Sequence, residues 1–183
     1  KYNKPVYNNL NFETQLQYLN YRSCILLNNR LVVFSPPKSI DFTKFTELYN
    51  CQNSYSEDFI DGTMINMFYN NVNNSWDIAT RSAVGGYNRF YDDYQTVNSQ
   101  FNFNTYNITF RELFYETSKL INFNPHSLPK EYCYSFVIQH PLNRIVTPVT
   151  SPQLHLVKIY EIEKCNMDIE DNNTEEEYNI KNI

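Results

Sequence analysis

One stretch of the sequence decides the predicted fold class: residues 59–81 have the sequence FIDGTMINMFYNNVNNSWDIATR. Two apolar runs, Phe59–Tyr69 and Trp76–Arg81, lie on either side of an asparagine-rich turn, a pattern typical of a β-hairpin. Gly62 predicts a kink in the first strand. Antiparallel strand pairing is therefore expected here.

Further strands and two helices are predicted on both sides of this hairpin. The asparagines at 28–29 lie between two short apolar runs and tolerate the positive φ of a tight turn. Asp41 is expected to cap one helix, and Thr109 with Glu112 to form the capping box of another. The additional strands are predicted at 24–27, 31–34, 132–138 and 154–162. Together these elements predict an α+β domain with antiparallel sheets and packed helices.

Length and composition favour one domain. The chain has 183 residues, of which 42% are hydrophobic and 16% aromatic, so it can bury a core without splitting. We expect a single domain over residues 1–162 and an acidic, polar, mobile tail over residues 163–183. No apolar run approaches the length that spans a bilayer, so no membrane partner is expected.

Charge and cysteine usage narrow the function classes. A net charge of -5 excludes a broad basic surface for coating nucleic acid, although it allows a local basic cleft. The cysteines stand singly and the three histidines are scattered, so no metal site is expected. Cys24 and Cys133 lie in apolar segments and are predicted to be buried free thiols, which favours a reducing, intracellular compartment.

Four segments carry more specific information than this background. They are RLVVFSPPKS at 30–39, FIDGT at 59–63, IATRS at 78–82 and YSFVIQHPLNRIV at 134–146. In this order they resemble the nucleotidyltransferase (adenylation) domain of phage-type RNA ligases, a branch of the family that includes DNA ligases and mRNA capping enzymes. The resemblance covers residues 30–162, and each short match alone is weak.

The resemblance implies a cleft that binds a nucleotide or RNA, with ATP or GTP and Mg²⁺ as the family's cofactors. Asp61-Gly62 is equally well explained as a turn at a strand end, and Asn143-Arg144 either caps a turn or faces the cleft. Arg81 stands where the family has a basic residue, which favours a phosphate contact. The candidate binding residues are Lys38, Asp61, Gly62, Arg81, Asn143 and Arg144.

The departures from the family concern catalysis. The nucleophilic lysine of the family's Lys-x-Asp-Gly segment corresponds to Phe59, and a phenyl ring has no lone pair with which to attack a phosphate. The acidic residue that holds the ribose corresponds to Val137. The later Glu-Gly and Lys-x-Lys motifs have no counterpart before Ile183. No catalytic residue is therefore predicted, and Lys38 is the one candidate for a relocated nucleophile.

Three functions stay open at the level of sequence. The leading one is an inactive RNA-ligase-like domain retained to bind a nucleotide, an RNA end or a protein partner. The second is an active RNA ligase or nucleotidyltransferase in which Lys38 or a missing C-terminal part supplies the chemistry. The third is a structural or assembly protein with no nucleic-acid role. The AT-rich codon usage implied by the composition, with the phage-type resemblance, points to a large DNA virus and to the cytoplasm, a viral factory or a virion.

Overall fold

The computed structural model describes residues 4–89, 108–143, 145–165 and 177–182. In these ranges the helices are α1 (Lys4–Asn8), α2 (Phe12–Asn20), α3 (Phe42–Leu48) and α4 (Phe110–Leu120). The strands are β1 (Cys24–Leu27), β2 (Arg30–Phe34), β3 (Thr63–Asn70), β4 (Ser75–Ala79), β5 (Tyr132–Gln139), β6 (Gln153–Cys165) and β7 (Glu177–Asn182). The predicted α+β class with antiparallel sheets is confirmed.

The strands form a β1–β2 hairpin and a five-stranded sheet of order β4-β3-β5-β6-β7. Every neighbouring pair is antiparallel. Within the sheet, Asn66 of β3 lies opposite Ala79 of β4 and opposite Ser135 of β5. The start of β3, the end of β4 and the end of β5 therefore meet at one end of the sheet.

The two faces of the sheet pack against different elements. Successive side chains of a strand point to opposite faces, and β3 follows this rule. Ile65 and Met67 join the core cluster that contains Phe114 of α4. Phe68 faces the other side and packs in a second cluster with Val33 of β2. The sheet thus separates α4 from the β1–β2 hairpin.

Local capping and turn signals behave as predicted. The hairpin turn places Asn28 at φ 50° and Asn29 at φ 61°, in the left-handed region. The side chain of Asp41 accepts a hydrogen bond from the amide three residues later, at 2.9 Å. At the start of α4, the Thr109 amide donates to Glu112 Oε2 at 2.7 Å, and the Glu112 amide donates to Thr109 Oγ1 at 3.2 Å.

The first strand of the central hairpin is shorter than predicted, because β3 begins at Thr63 and not at Phe59. The backbone carbonyl of Asp61 accepts a hydrogen bond from Gln139 Nε2 at 2.8 Å. A Cβ atom at Gly62 would lie 2.6 Å from the carbonyl oxygen of Ile138. The chain therefore enters β3 pressed against the end of β5, and the glycine permits this close approach.

Part of the predicted acidic tail belongs to the sheet. β6 continues to Cys165, and Glu177–Asn182 pairs with Tyr160–Cys165 as β7. The prediction of a mobile tail from residue 163 therefore does not hold for these residues. Acidic composition hid a short alternation of apolar and polar residues, with Tyr178 and Ile180 apolar, which is the pattern of a strand.

The two cysteines predicted to be buried differ in the structure. Cys24 is exposed, because burial alternates along β1 and this residue lies on its outer side. Cys133 is buried as predicted, and burial raises the pKa of its thiol to about 12. Across the described ranges, no helix combines the length and apolarity that a bilayer crossing requires.

Candidate functional site

A cleft of about 1260 Å³ opens at the end of the sheet where β3 starts and β4 and β5 finish. Its lining includes residues 36–40, the segment that leaves the β1–β2 hairpin. Residues 57–60, residues 62–64 and the turn at 80–82 that follows β4 also line it. All four segments that carry the family resemblance therefore contribute lining residues. The fourth segment contributes Val137 and Ile145.

Three basic side chains line the cleft: Arg22, Lys38 and Arg81. Lys38 follows Pro36-Pro37, and its amide donates a hydrogen bond to the Leu19 carbonyl at 3.0 Å, so its backbone is held at the cleft wall. Lys38 and Arg81 are both exposed. Their charged groups are thus accessible to an anionic ligand, as the sequence predicts for a phosphate-binding pair.

The turn that carries Arg81 is fixed by short hydrogen bonds on both sides. The Thr80 amide donates to the Ala83 carbonyl at 2.9 Å, and the Gly85 amide donates to the Ile78 carbonyl at 2.7 Å. The Thr80 hydroxyl contacts Asn88 Oδ1 at 3.1 Å. Arg81 therefore projects from a rigid turn, which lowers the entropy that a phosphate contact would cost.

Phe59 and Val137 leave the cleft open. Phe59 lines it with 95% of its side chain exposed, and Val137, which is 7% exposed, forms part of its wall. Glu57 and Asp58 also line the cleft, immediately before Phe59. A solvent-facing aromatic ring therefore lies in the chain between two carboxylates and the start of β3.

Gly62 lines the cleft, whereas Asp61 is not among the lining residues. The Asp61 carboxylate oxygen Oδ2 accepts hydrogen bonds from the amides of Val146, at 3.0 Å, and Thr147, at 2.8 Å. Asp61 therefore ties the loop after β5 to the start of β3. The carboxylate thus has a structural role in the fold, and its nucleotide contact stays a prediction.

Asn143 also lies within the fold and not on the cleft wall. It is 3% exposed, and its Nδ2 donates to Thr63 Oγ1 at 2.8 Å. Its main-chain amide donates to the His140 carbonyl at 2.9 Å, so the residue closes a turn through its backbone while its side chain contacts the start of β3. Arg144 lies outside the described residues.

His140 stabilises the same loop. The Leu142 amide donates to His140 Nδ1 at 3.1 Å, and the ring is buried. Burial lowers the pKa of the imidazole, while the carboxylate of Glu116 has a smaller, opposite effect. The neutral ring is favoured, which preserves Nδ1 as an acceptor.

Sequence reasoning missed two contributors to the cleft. Arg22 precedes β1 and has no motif around it, and only the folded chain brings it to the Lys38 side. The anchor formed by Asp61 with two amides joins residues about 85 positions apart, so no local pattern signals it. The exposure of Phe59 likewise depends on where β3 begins.

The described ranges contain no all-protein site for the Mg²⁺ that the resemblance implies. No group of three or more His, Cys, Asp or Glu side chains there could hold a metal ion. The carboxylates of Glu57 and Asp58 line the cleft as a pair, which is fewer ligands than an all-protein site uses. Binding of an anionic ligand by the basic residues of the cleft does not require the metal.

Searches of protein-family models, curated proteins and solved structures find no match to this chain.

Proposed function

We propose that this chain is a catalytically inactive RNA-ligase-like domain that binds a nucleotide or an RNA end in the cleft without forming a covalent adduct. The observation that carries the proposal is the convergence of Lys38, Gly62 and Arg81 on one open cleft. These residues come from three segments that are distant in sequence. Their order along the chain is the one that resembles the nucleotidyltransferase domain.

The charge of the cleft supports an anionic ligand. Arg22, Lys38 and Arg81 outnumber the two carboxylates that line the same space, although the whole chain carries a net charge of -5. Basic groups in a concave site raise the local concentration of anions. Arg81 offers a planar fork of donors that matches a phosphate, and Lys38 adds a point charge.

The absence of covalent chemistry follows from the side chains at the site. Phe59 carries no nucleophilic atom, and Val137 has no group that holds a ribose hydroxyl. A lysine nucleophile is usually activated by burial or by a cationic neighbour, and Lys38 is exposed. The proposal therefore assigns Lys38 to phosphate binding.

Two measurements on the same protein test this function. Binding of fluorescent ATP, GTP and a 5′-phosphorylated RNA is measured by anisotropy, and mass spectrometry after incubation with ATP or GTP detects any adduct. We expect binding without an adduct. Lys38→Ala and Arg81→Ala should each weaken binding by roughly 10-fold or more, since a charge-assisted hydrogen bond contributes about 1.5–3 kcal/mol.

Matched variants control for a general loss of charge. Lys119→Ala and Arg30→Ala remove exposed basic groups that do not line the cleft, and they should leave affinity unchanged within about twofold, the usual effect of a remote surface charge. An adduct that Lys38→Ala abolishes would instead establish the active-ligase alternative. Absence of both binding and adduct would refute a nucleotide function and favour the structural or assembly role.

A further inference from the structure

We infer that Phe59 stacks on a base of a single-stranded oligonucleotide whose phosphates contact Lys38 and Arg81. The inference rests on the proposed function and goes further, because it names the ligand class and a residue that selects it. Phe59 is the most exposed large apolar side chain of the described residues, at 95%. It does not contribute to the core.

The backbone is anchored shortly after the exposed ring. Two residues further on, Asp61 is fixed through its backbone carbonyl, which accepts from Gln139 at 2.8 Å, and through two amides that donate to its carboxylate. Gly62 is pressed against the end of β5. The backbone that follows Phe59 is therefore anchored without a ligand, which limits the backbone ordering that stacking requires.

The topology places a cation in the same cleft as this aromatic ring. The β3–β4 pairing ends where Asn66 lies opposite Ala79, and a turn follows in which the Thr80 amide donates to the Ala83 carbonyl. This turn carries Arg81, which lines the cleft together with Phe59. An aromatic platform next to basic groups is the combination by which proteins bind single-stranded nucleic acid.

The residues next to Phe59 in the chain differ in charge from the basic residues of the cleft. Glu57 and Asp58 line the cleft next to the ring in the chain and disfavour a phosphate there. Lys38 and Arg81 come from the residue 36–40 wall and from the turn after β4, where a phosphate is favoured. A ligand with an uncharged base and a charged backbone satisfies both regions.

The size of the cleft favours an oligonucleotide over a mononucleotide. Its volume is about 1260 Å³. Small-molecule sites occupy roughly 300–1,000 Å³. The cleft can therefore hold a terminal nucleotide and part of its neighbour, with the phosphate of one and the base of the other engaged at the same time.

The test compares AMP with a 5′-phosphorylated adenosine octamer, made as RNA and as DNA, in the full chain. The octamer should bind more tightly than AMP. Phe59→Ala should weaken octamer binding about 5- to 150-fold, the range expected for the loss of one stacked base, and should change AMP binding less than twofold. Phe59→Trp should retain octamer affinity. Tighter binding of the RNA octamer identifies RNA as the source of this chemistry, and equal binding identifies any single strand.

The matched control is Phe42→Ala, because Phe42 is also exposed, at 76%, but does not line the cleft. Since Phe59 is almost fully exposed, Phe59→Ala should keep the melting temperature of the parent protein. If the octamer binds through Lys38 and Arg81 but Phe59→Ala has no effect, the inference fails while the proposed function stands. If neither AMP nor the octamer binds, the proposed function itself fails. An equal loss of AMP and octamer affinity in Phe59→Ala would also overturn the inference, because the ring would then stack on a mononucleotide.

Discussion

Replacing Gly62 with alanine should destabilise the protein, because the new methyl group has no space. Its Cβ would lie 2.6 Å from the Ile138 carbonyl oxygen and 2.6 Å from Val137 Cγ1. Carbon–oxygen contacts between strands are ordinarily about 3.3–3.6 Å. The end of β5 would therefore have to move by roughly 0.7 Å or more, and a backbone carbonyl in a sheet cannot rotate away as a side chain can.

A loss of stability is the opposite of what a glycine-to-alanine change produces where the new methyl group has space. Overpacking costs typically about 1–3 kcal/mol, and the two contacts, one of them to backbone, place Gly62→Ala at the upper end. Alanine restricts the unfolded chain more than glycine does, which offsets about 0.4–1 kcal/mol. The net loss should be about 2 kcal/mol. At about 2–4 °C per kcal/mol for a chain of this size, the melting temperature should fall by roughly 4–8 °C.

Urea and thermal unfolding followed by circular dichroism measure this loss. Ser82→Ala changes an exposed residue of the turn after β4 that also lines the cleft; it is the control and should stay within about 0.5 kcal/mol of the parent. Val137→Ala removes one of the two obstructing atoms, so Gly62→Ala with Val137→Ala should be less destabilised than the sum of the single variants. A Gly62→Ala protein more stable than the parent would refute the close approach, since only the entropic effect would then operate.

Two further predictions concern helix capping and pH. Thr109→Ala removes the side chain that accepts from the Glu112 amide, so thermal unfolding should show a loss of about 1 kcal/mol, whereas Thr109→Ser should retain most of the stability. His140 has a lowered pKa in the folded state, so the unfolded state binds more protons and stability should fall as pH drops below about 6.5, the ordinary value. His140→Asn, which does not titrate, should flatten that part of the urea-midpoint profile, and an unchanged slope would contradict the role given to the ring.

Local sequence signals predicted the elements well where the backbone conformation depends on contacts between residues close in the sequence. The Asn28-Asn29 turn and the Thr109–Glu112 capping box depend on contacts within four residues, and both are present. The start of β3 was less predictable, because Phe59-Ile60 has strand composition but Gly62 meets β5 from a distant part of the chain. Acidic composition likewise concealed β7, whose formation depends on the open edge of β6.

The candidate site residues show the same difference between local signals and long-range contacts. Lys38, Gly62 and Arg81 were selected from short motifs, and all three line the cleft. Asp61 and Asn143 came from the same motifs, but they bind backbone and hydroxyl groups of the fold. A motif records which residue types stand together. It does not record which of them face the ligand, because that depends on partners supplied by distant loops.

The contacts of Asp61 and Asn143 bear on the proposed binding function without catalysis. Asp61 and Asn143 tie the loop after β5 to the start of β3, so their substitution would disturb the geometry of the cleft even if neither touches a ligand. Phe59 has no such constraint, since it is almost fully exposed and its replacement costs the fold little. Under the proposed function, position 59 can therefore carry a stacking ring in place of the nucleophile that the resemblance implies, while the surrounding residues are kept by their structural contacts. On this argument, Phe59→Lys should fold normally yet form no nucleotide adduct, because Val137 still lacks a group to hold the ribose.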